Sequence, residues 1–314
     1  MKVVGMIMGD RDFYRKQVEM HDDYRAGEYE LAYEKIEELM KVQVSRLGWH
    51  GTLSACAGMI SMRLGSYYEA YGFFRKAVDN RYSKASARIV GHVGLIMYWA
   101  AKDNEYPVSM SMREIEVLMK EYTADYWLLE AMGELVLDLA RLKRYEDAKK
   151  YYALTLQAYD HFHAERSKVD DPCYDPQKVS RMRAEIDYEF AVRVLMEQGE
   201  CENAIKVILY GPLTRYAKLG MKNEYAECFH QLSLAYRVLR KGEQALLAEK
   251  NCWYQLAVDS DKSYVCCARI YKLALEAGQN PINELNEIFG KSAEPVDREK
   301  YLLAIAEKME EQNI

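Results

Sequence analysis

Helix breakers are scarce: the 314 residues contain six prolines, and no stretch alternates apolar and polar residues long enough to build a sheet. Proline inside a helix costs about 3 kcal/mol or more, so a helical chain confines it to connections and first turns. Pro107, Pro172, Pro176, Pro281 and Pro295 fit such places. Pro107 is expected in a long connection from Asp103 to Ser109, with Ser111 and Glu114 at capping-box spacing starting the next helix. Pro212, after Tyr210-Gly211, should end or kink a helix begun near Glu200.

Long apolar runs are also missing. Val3 to Met8 is too short for a secretory signal core or a membrane span, which predicts a cytoplasmic protein without membrane contact. There is no CxxC pair; the seven cysteines lack the regular spacing of a secreted framework and read as reduced, buried residues. Basic charge is not in excess: net charge is −6 and the isoelectric point about 5.7, so no nucleic-acid partner is expected. Gly-rich phosphate loops, nucleophile elbows and HExxH segments are absent. Asp160, His161, His163, Asp170, Asp171 and Cys173 form the one grouping with metal-ligand chemistry, and its polar context reads more simply as a solvated loop. The expectation is a non-enzyme without cofactor or metal.

What is present is helical periodicity with small residues at fixed intervals. Ala57-Gly58, Leu64-Gly65, Tyr67, Ala70, Phe74 and Ala77 describe two antiparallel helices. Small residues let them approach, Tyr67 and Phe74 fill the space between them, and Gly65-Ser66 breaks the period. This segment resembles one complete tetratricopeptide repeat. The resemblance implies an all-α fold, a right-handed superhelix of antiparallel helix hairpins ending in a capping helix. A lone hairpin cannot bury its apolar face, so repeats should recur. Gly27, Tyr29, Ala32, Ile36 and Leu39 place a first hairpin near 11–46. Tyr145, Ala148 and Tyr152, then Gly199, Ala204 and Ile208, then Gly242 and Ala245, and finally Ala274 to Gly278 mark later ones.

Six or seven hairpins are expected, with residues 1–161 as an N-terminal half, 162–177 as a polar linker and 178–314 as a C-terminal half, stacked as one superhelix. A helix from about Asp297 to Glu311, with Tyr301, Leu302, Ile305 and Met309 on one stripe, should cap the array.

In proteins this chain resembles, the first helix of each hairpin lines a concave groove that holds a peptide or partner helix. Carrying that phase onto this sequence gives Tyr24, Arg25, Met59, Met62, Arg63, Tyr98, Trp99, Arg141, Arg193, His230, Arg237 and Arg269 as candidate binding residues. The recurrent arginines suit an acidic peptide or protein segment, with tyrosine and tryptophan as anchors. The function implied is a non-catalytic adaptor in a regulatory or assembly complex. The alternative is a peptide-responsive sensor resembling bacterial or phage peptide-pheromone receptors but lacking a DNA-binding domain. Inner asparagines, which those receptors use, are not evident: Asn80, Asn104, Asn203, Asn223 and Asn280 fall at turns or helix ends.

Overall fold

The computed structural model describes residues 10–41, 48–100, 102, 104–167, 171, 173–292 and 294–311. All regular structure among them is helical. The chain forms two compact units, Met1–Val179 and Ser180–Ile314.

The first unit holds α1 (Asp10–Ala26), α2 (Tyr29–Lys41), α3 (Trp49–Arg63), α4 (Tyr67–Asp79), α5 (Ala85–Ala100), α6 (Glu105–Leu118), α7 (Tyr126–Arg141) and α8 (Tyr145–Arg166). Helix α9 (Pro176–Phe190) starts in it and runs into the second unit. There a π-helical segment, Ala191–Met196, is followed by α10 (Cys201–Tyr210), α11 (Pro212–Leu219), α12 (Lys222–Val238), α13 (Gly242–Trp253), α14 (Asp261–Glu276), α15 (Pro281–Gly290) and α16 (Arg298–Glu311).

The hairpins share one turn. The residue two before the second helix adopts a left-handed conformation at Gly27, Gly65, Lys143, Gly199 and Arg240, with φ between 57° and 84°. Each turn repeats the same two backbone hydrogen bonds. Gly65 N donates to Met62 O and Ser66 N to Ser61 O; Arg240 N donates to Arg237 O and Lys241 N to Tyr236 O. This pairing satisfies the carbonyls left over at a helix C-terminus. Glycine adopts the conformation freely, whereas Lys143 and Arg240 carry a Cβ into it at a cost of about 1–2 kcal/mol. The turn expected at Gly242 therefore lies two residues earlier, and Gly242 opens α13.

Phe74 locks the clearest repeat. A Cβ at Gly58 or Gly94 would overlap its ring, so the two glycines admit an aromatic side chain from α4 between α3 and α5. Tyr67 does not share that role: it is 58% exposed at the start of α4. Ala32, Ile36, Leu39, Ala70 and Ala77 are buried as the pattern requires.

Prolines mark helix starts more often than connections. Pro107 lies in the first turn of α6, whose helix begins at Glu105 rather than at Ser111. The position tolerates proline because first-turn N–H groups have no partner within the helix. Ser111 is instead a buried residue inside α6. Pro212 ends α10 and opens α11, and Pro281 opens α15 behind Asn280, whose side chain accepts from Ile282 N and Asn283 N. Helix α8 runs to Arg166, so the segment expected to be a linker from 162 onward is still helical there, held by buried Phe162. Pro172 and Asp170 lie outside the described residues.

Helix α16 packs on α14 through buried Tyr301 and Ile305. The Tyr301 hydroxyl accepts from Asp259 N at 2.9 Å and lies 2.8 Å from Ser263 Oγ. Leu302 is exposed rather than part of the packed stripe, and the side chain of Met309 lies outside the described residues.

Candidate functional site

The inner faces of the two units differ. In the first, α5 packs beside both α3 and α7, while α4, α6 and α8 form the second layer. Helix α1 does not stack beside α3 in the same manner. It crosses the face of α3 and α7 on its long side chains. Phe13 stacks on Trp49 at 3.8 Å near the start of α3, and Tyr24 meets Arg63 at its end, so the two helices run in the same direction. Toward α7, Trp127 Nε1 donates to Gln17 O at 3.3 Å, and the Tyr24 hydroxyl donates to Glu134 Oε1 at 2.6 Å.

A charged network closes this contact. Arg63 Nε donates to the Tyr24 hydroxyl at 2.9 Å and its Nη2 pairs with Glu134. One turn earlier on α7, Glu130 accepts from Arg25 at 2.6 Å and lies 3.5 Å from His21 Nε2. Burial alone would raise Glu130, but His21 and Arg25 hold its carboxyl down at about 2. Glu134 goes the other way: burial raises it, and the Glu130 charge adds to that rise against the pull of Arg63. Burial pushes the Tyr24 hydroxyl well up and His21 down.

The candidate residues of the first unit are therefore largely occupied. Tyr24 and Met59 are core, Cys56 is buried with them, and Arg25 and Arg63 are held by α7 carboxylates. They do not line an open groove, because α1 fills it. Met62 is half-buried at the end of α3. Tyr98 and Trp99 form a half-buried aromatic cluster with Tyr71 at the end of α5, with Lys102 Nζ 4.1 Å from the Tyr98 ring centroid. Arg141 is exposed and pairs with Asp138 on its own helix.

In the second unit, α12 and α14 leave a recess open. His230 and Arg237 stand two turns apart on α12, and Arg269 and Lys272 one turn apart on α14. With Ser233, Leu234, Leu273 and Glu249 they enclose about 120 Å3. A wider shallow groove of about 750 Å3 shares Leu234, Arg237 and Leu273 and extends to Arg240 and Glu243.

Glu249, on α13, is the recess floor and is 1% exposed. Arg269 Nε donates to its Oε1 at 2.5 Å, and His230 Nδ1 lies 3.1 Å from Oε2. Burial would raise this carboxyl, yet His230 and Arg269 hold it below the usual range. Arg237 pairs with Glu276 across the α12–α14 gap at 3.2 Å, both half-exposed. Lys272 and Arg240 have no carboxylate partner among the described residues. Of the expected set, the structure thus gathers His230, Arg237 and Arg269. Arg193 lies elsewhere, on the π-helical segment, and pairs with Glu189 at 3.2 Å. Lys272 belongs with them because it stands three residues after Arg269 on the same helix face.

Among its described residues, the histidine-rich grouping does not gather its ligand atoms into a metal-holding cluster. His161 faces Glu165 at 3.2 Å, His163 contacts the Tyr174 hydroxyl, and Asp171 pairs with Arg166 at 2.5 Å. No helix among the described residues is long and apolar enough to cross a membrane.

No protein-family model matches the chain, and no curated protein is significantly similar to it. Among solved structures, a tetratricopeptide repeat protein from Parabacteroides merdae ATCC 43184 is similar over 96% of this chain and 100% of that one, with 13% identity and a TM-score of 0.36.

Proposed function

We propose that the protein is a non-catalytic scaffold that holds an acidic peptide or protein segment along the α12–α14 wall of its second unit. The observation that carries this reading is the open recess, where Arg237 and Lys272 reach solvent around a floor whose only carboxylate, Glu249, is already neutralised by Arg269. A ligand carboxylate entering there meets guanidinium and ammonium groups without displacing a buried acid. The adjoining groove offers Leu234, Val238 and Leu273 for an apolar side chain beside it. Charge-assisted contacts of this kind supply specificity and encounter rate, while the apolar rim supplies burial.

Affinity capture from the native lysate tests the reading when three proteins are compared: wild type, a double variant Arg237→Glu with Lys272→Glu, and Arg141→Glu as a surface control. The scaffold reading expects an acidic partner retained by wild type and Arg141→Glu and lost by the double variant. Equal retention by all three, with the double variant folded, overturns it. Compaction in solution scattering on adding a short peptide would favour the sensor alternative.

A further inference from the structure

Below the recess lies a cluster that peptide binding does not use. Glu249 and Cys252, three residues apart on α13, face Cys266 on α14. One carboxylate oxygen and the two Sγ atoms all lie within 4.8 Å of one another, and all three residues are buried. Cys266 is the hub: its Sγ lies 3.4 Å from Glu249 Oε1 and 3.4 Å from the Glu249 carbonyl oxygen. The other oxygen of Glu249 faces His230, and Arg269 braces Oε1.

Two arguments give this convergence a chemical meaning. The first is geometric. Zinc bonds of roughly 2.3 Å to sulfur and 2.0–2.2 Å to carboxylate oxygen, arranged tetrahedrally, space the ligand atoms about 3.5–3.8 Å apart. The observed Sγ–Oε1 separation of 3.4 Å lies just under that spacing and no pair exceeds 4.8 Å, so small side-chain shifts reach it. The second is electrostatic. Two thiolates and one carboxylate carry three negative charges; a dication and Arg269 carry three positive ones. The assembly is neutral, the condition for holding charge in a dry interior.

We propose that Glu249, Cys252 and Cys266 bind a thiophilic divalent cation of the zinc class, with His230 orienting the carboxylate from the recess side. Thiolate ligands favour such ions over calcium or magnesium, and an imidazole holding a ligating carboxylate is a recurrent outer partner. Binding releases the two thiol protons to solvent and changes no oxidation state. It does not depend on the peptide reading, because its probe is the metal alone.

The test uses the tag-free full chain, kept reduced with a phosphine. Zinc per chain is measured after equilibration and gel filtration, and cobalt(II) is titrated for its sulfur-to-metal absorption. One ion per chain is expected, with a cobalt–thiolate band. Cys252→Ser and Cys266→Ser should each weaken binding by more than about tenfold while helical circular dichroism is unchanged.

Substoichiometric uptake by folded wild type, or undiminished uptake by both serine variants, overturns the proposal. So does formation of a Cys252–Cys266 disulfide in place of ion uptake. If the variants do not fold, alkylation of wild type mapped by mass spectrometry decides. Zinc, and not magnesium, should slow modification of Cys252 and Cys266; equal rates with both ions overturn the site.

Discussion

The two units use similar hairpins, and even the same left-handed turn, but treat their inner faces in opposite ways. The first covers α3 and α7 with its own α1 and ties the cover down with Tyr24, Arg63, Glu134, Arg25 and Glu130. The second leaves α12 and α14 facing a recess lined by cations. The same kind of residue, an arginine on a first helix, thus pairs with a buried carboxylate across a covered face at Arg63 and with a half-exposed one beside an open recess at Arg237. Position in a repeat does not fix a role; what lies across from it does.

The largest effect should come from reversing one arginine in each unit. Arg63→Glu leaves buried Glu134 without its cationic partner, only the Tyr24 hydroxyl still donating, and sets a second acid beside it, which should cost about 3 kcal/mol. This is near the low end for a buried pair because the Arg63 side chain is 42% exposed. Arg237→Glu removes a half-exposed pair and should cost less than about 1 kcal/mol. Chemical denaturation of both variants measures the contrast, and equal losses would break it.

Acidification sharpens the comparison. Burial, reinforced by the nearby Arg88 and Arg75 charges, lowers His92 to about 4 from an ordinary value of 6.5. A histidine whose folded value is depressed contributes stability above 6.5 that is lost as pH falls through 6.5 toward 4. The full shift corresponds to about 3 kcal/mol. His21 is lowered in the same direction, and Glu130 joins below 4.5 as pH approaches 2; Glu134, raised by burial, offsets part of this. In the second unit, Glu249 loses its contribution only below 4.5. Hydrogen exchange corrected for intrinsic rates should therefore show α5 and α7 opening more at pH 5 than at pH 7, with little change in α14. Equal responses would show that the histidines do not govern the first unit.

Much of this was legible from residue spacing. The hairpin at Ala57 to Ala77, the Phe74 wedge, the turns at Gly27 and Gly65 and the caps at Asn280 and Tyr301 all follow from local pattern. The cover was not read, although its sign was present. Trp49 to Ser61 is apolar or small on nearly every face, and a helix apolar all round is buried all round. The repeat phase puts its inner position Met59 on a groove wall because that phase says nothing about what lies opposite. The Lys143 and Arg240 turns were obscured by the preference of glycine for left-handed geometry. Glu249, Cys252 and Cys266 were missed because a cysteine from another helix completes the group, and no sequence spacing reports that meeting.

Smaller changes probe single joints. Tyr301→Phe deprives the Asp259 amide of its acceptor and the Ser263 hydroxyl of one of its two partners, the Ser260 carbonyl remaining, and should lower the stability of the second unit by about 1–2 kcal/mol. Lys143→Gly and Arg240→Gly, one in each unit, relieve left-handed strain at the cost of unfolded-chain entropy and should each raise stability by about 0.5–1 kcal/mol. Thermal melts of both pairs check the claim that the units share one turn.

The most direct test of the contrast between a filled and an open inner face is titration of the full chain with a short fluorescent oligoglutamate peptide at low salt, followed by anisotropy. Saturable binding that weakens with added salt, is abolished by Arg237→Glu with Lys272→Glu, and survives Arg141→Glu is the predicted result. Binding that survives the double variant, or no binding by wild type, would contradict the assignment of the α12–α14 wall as the protein's ligand-facing surface.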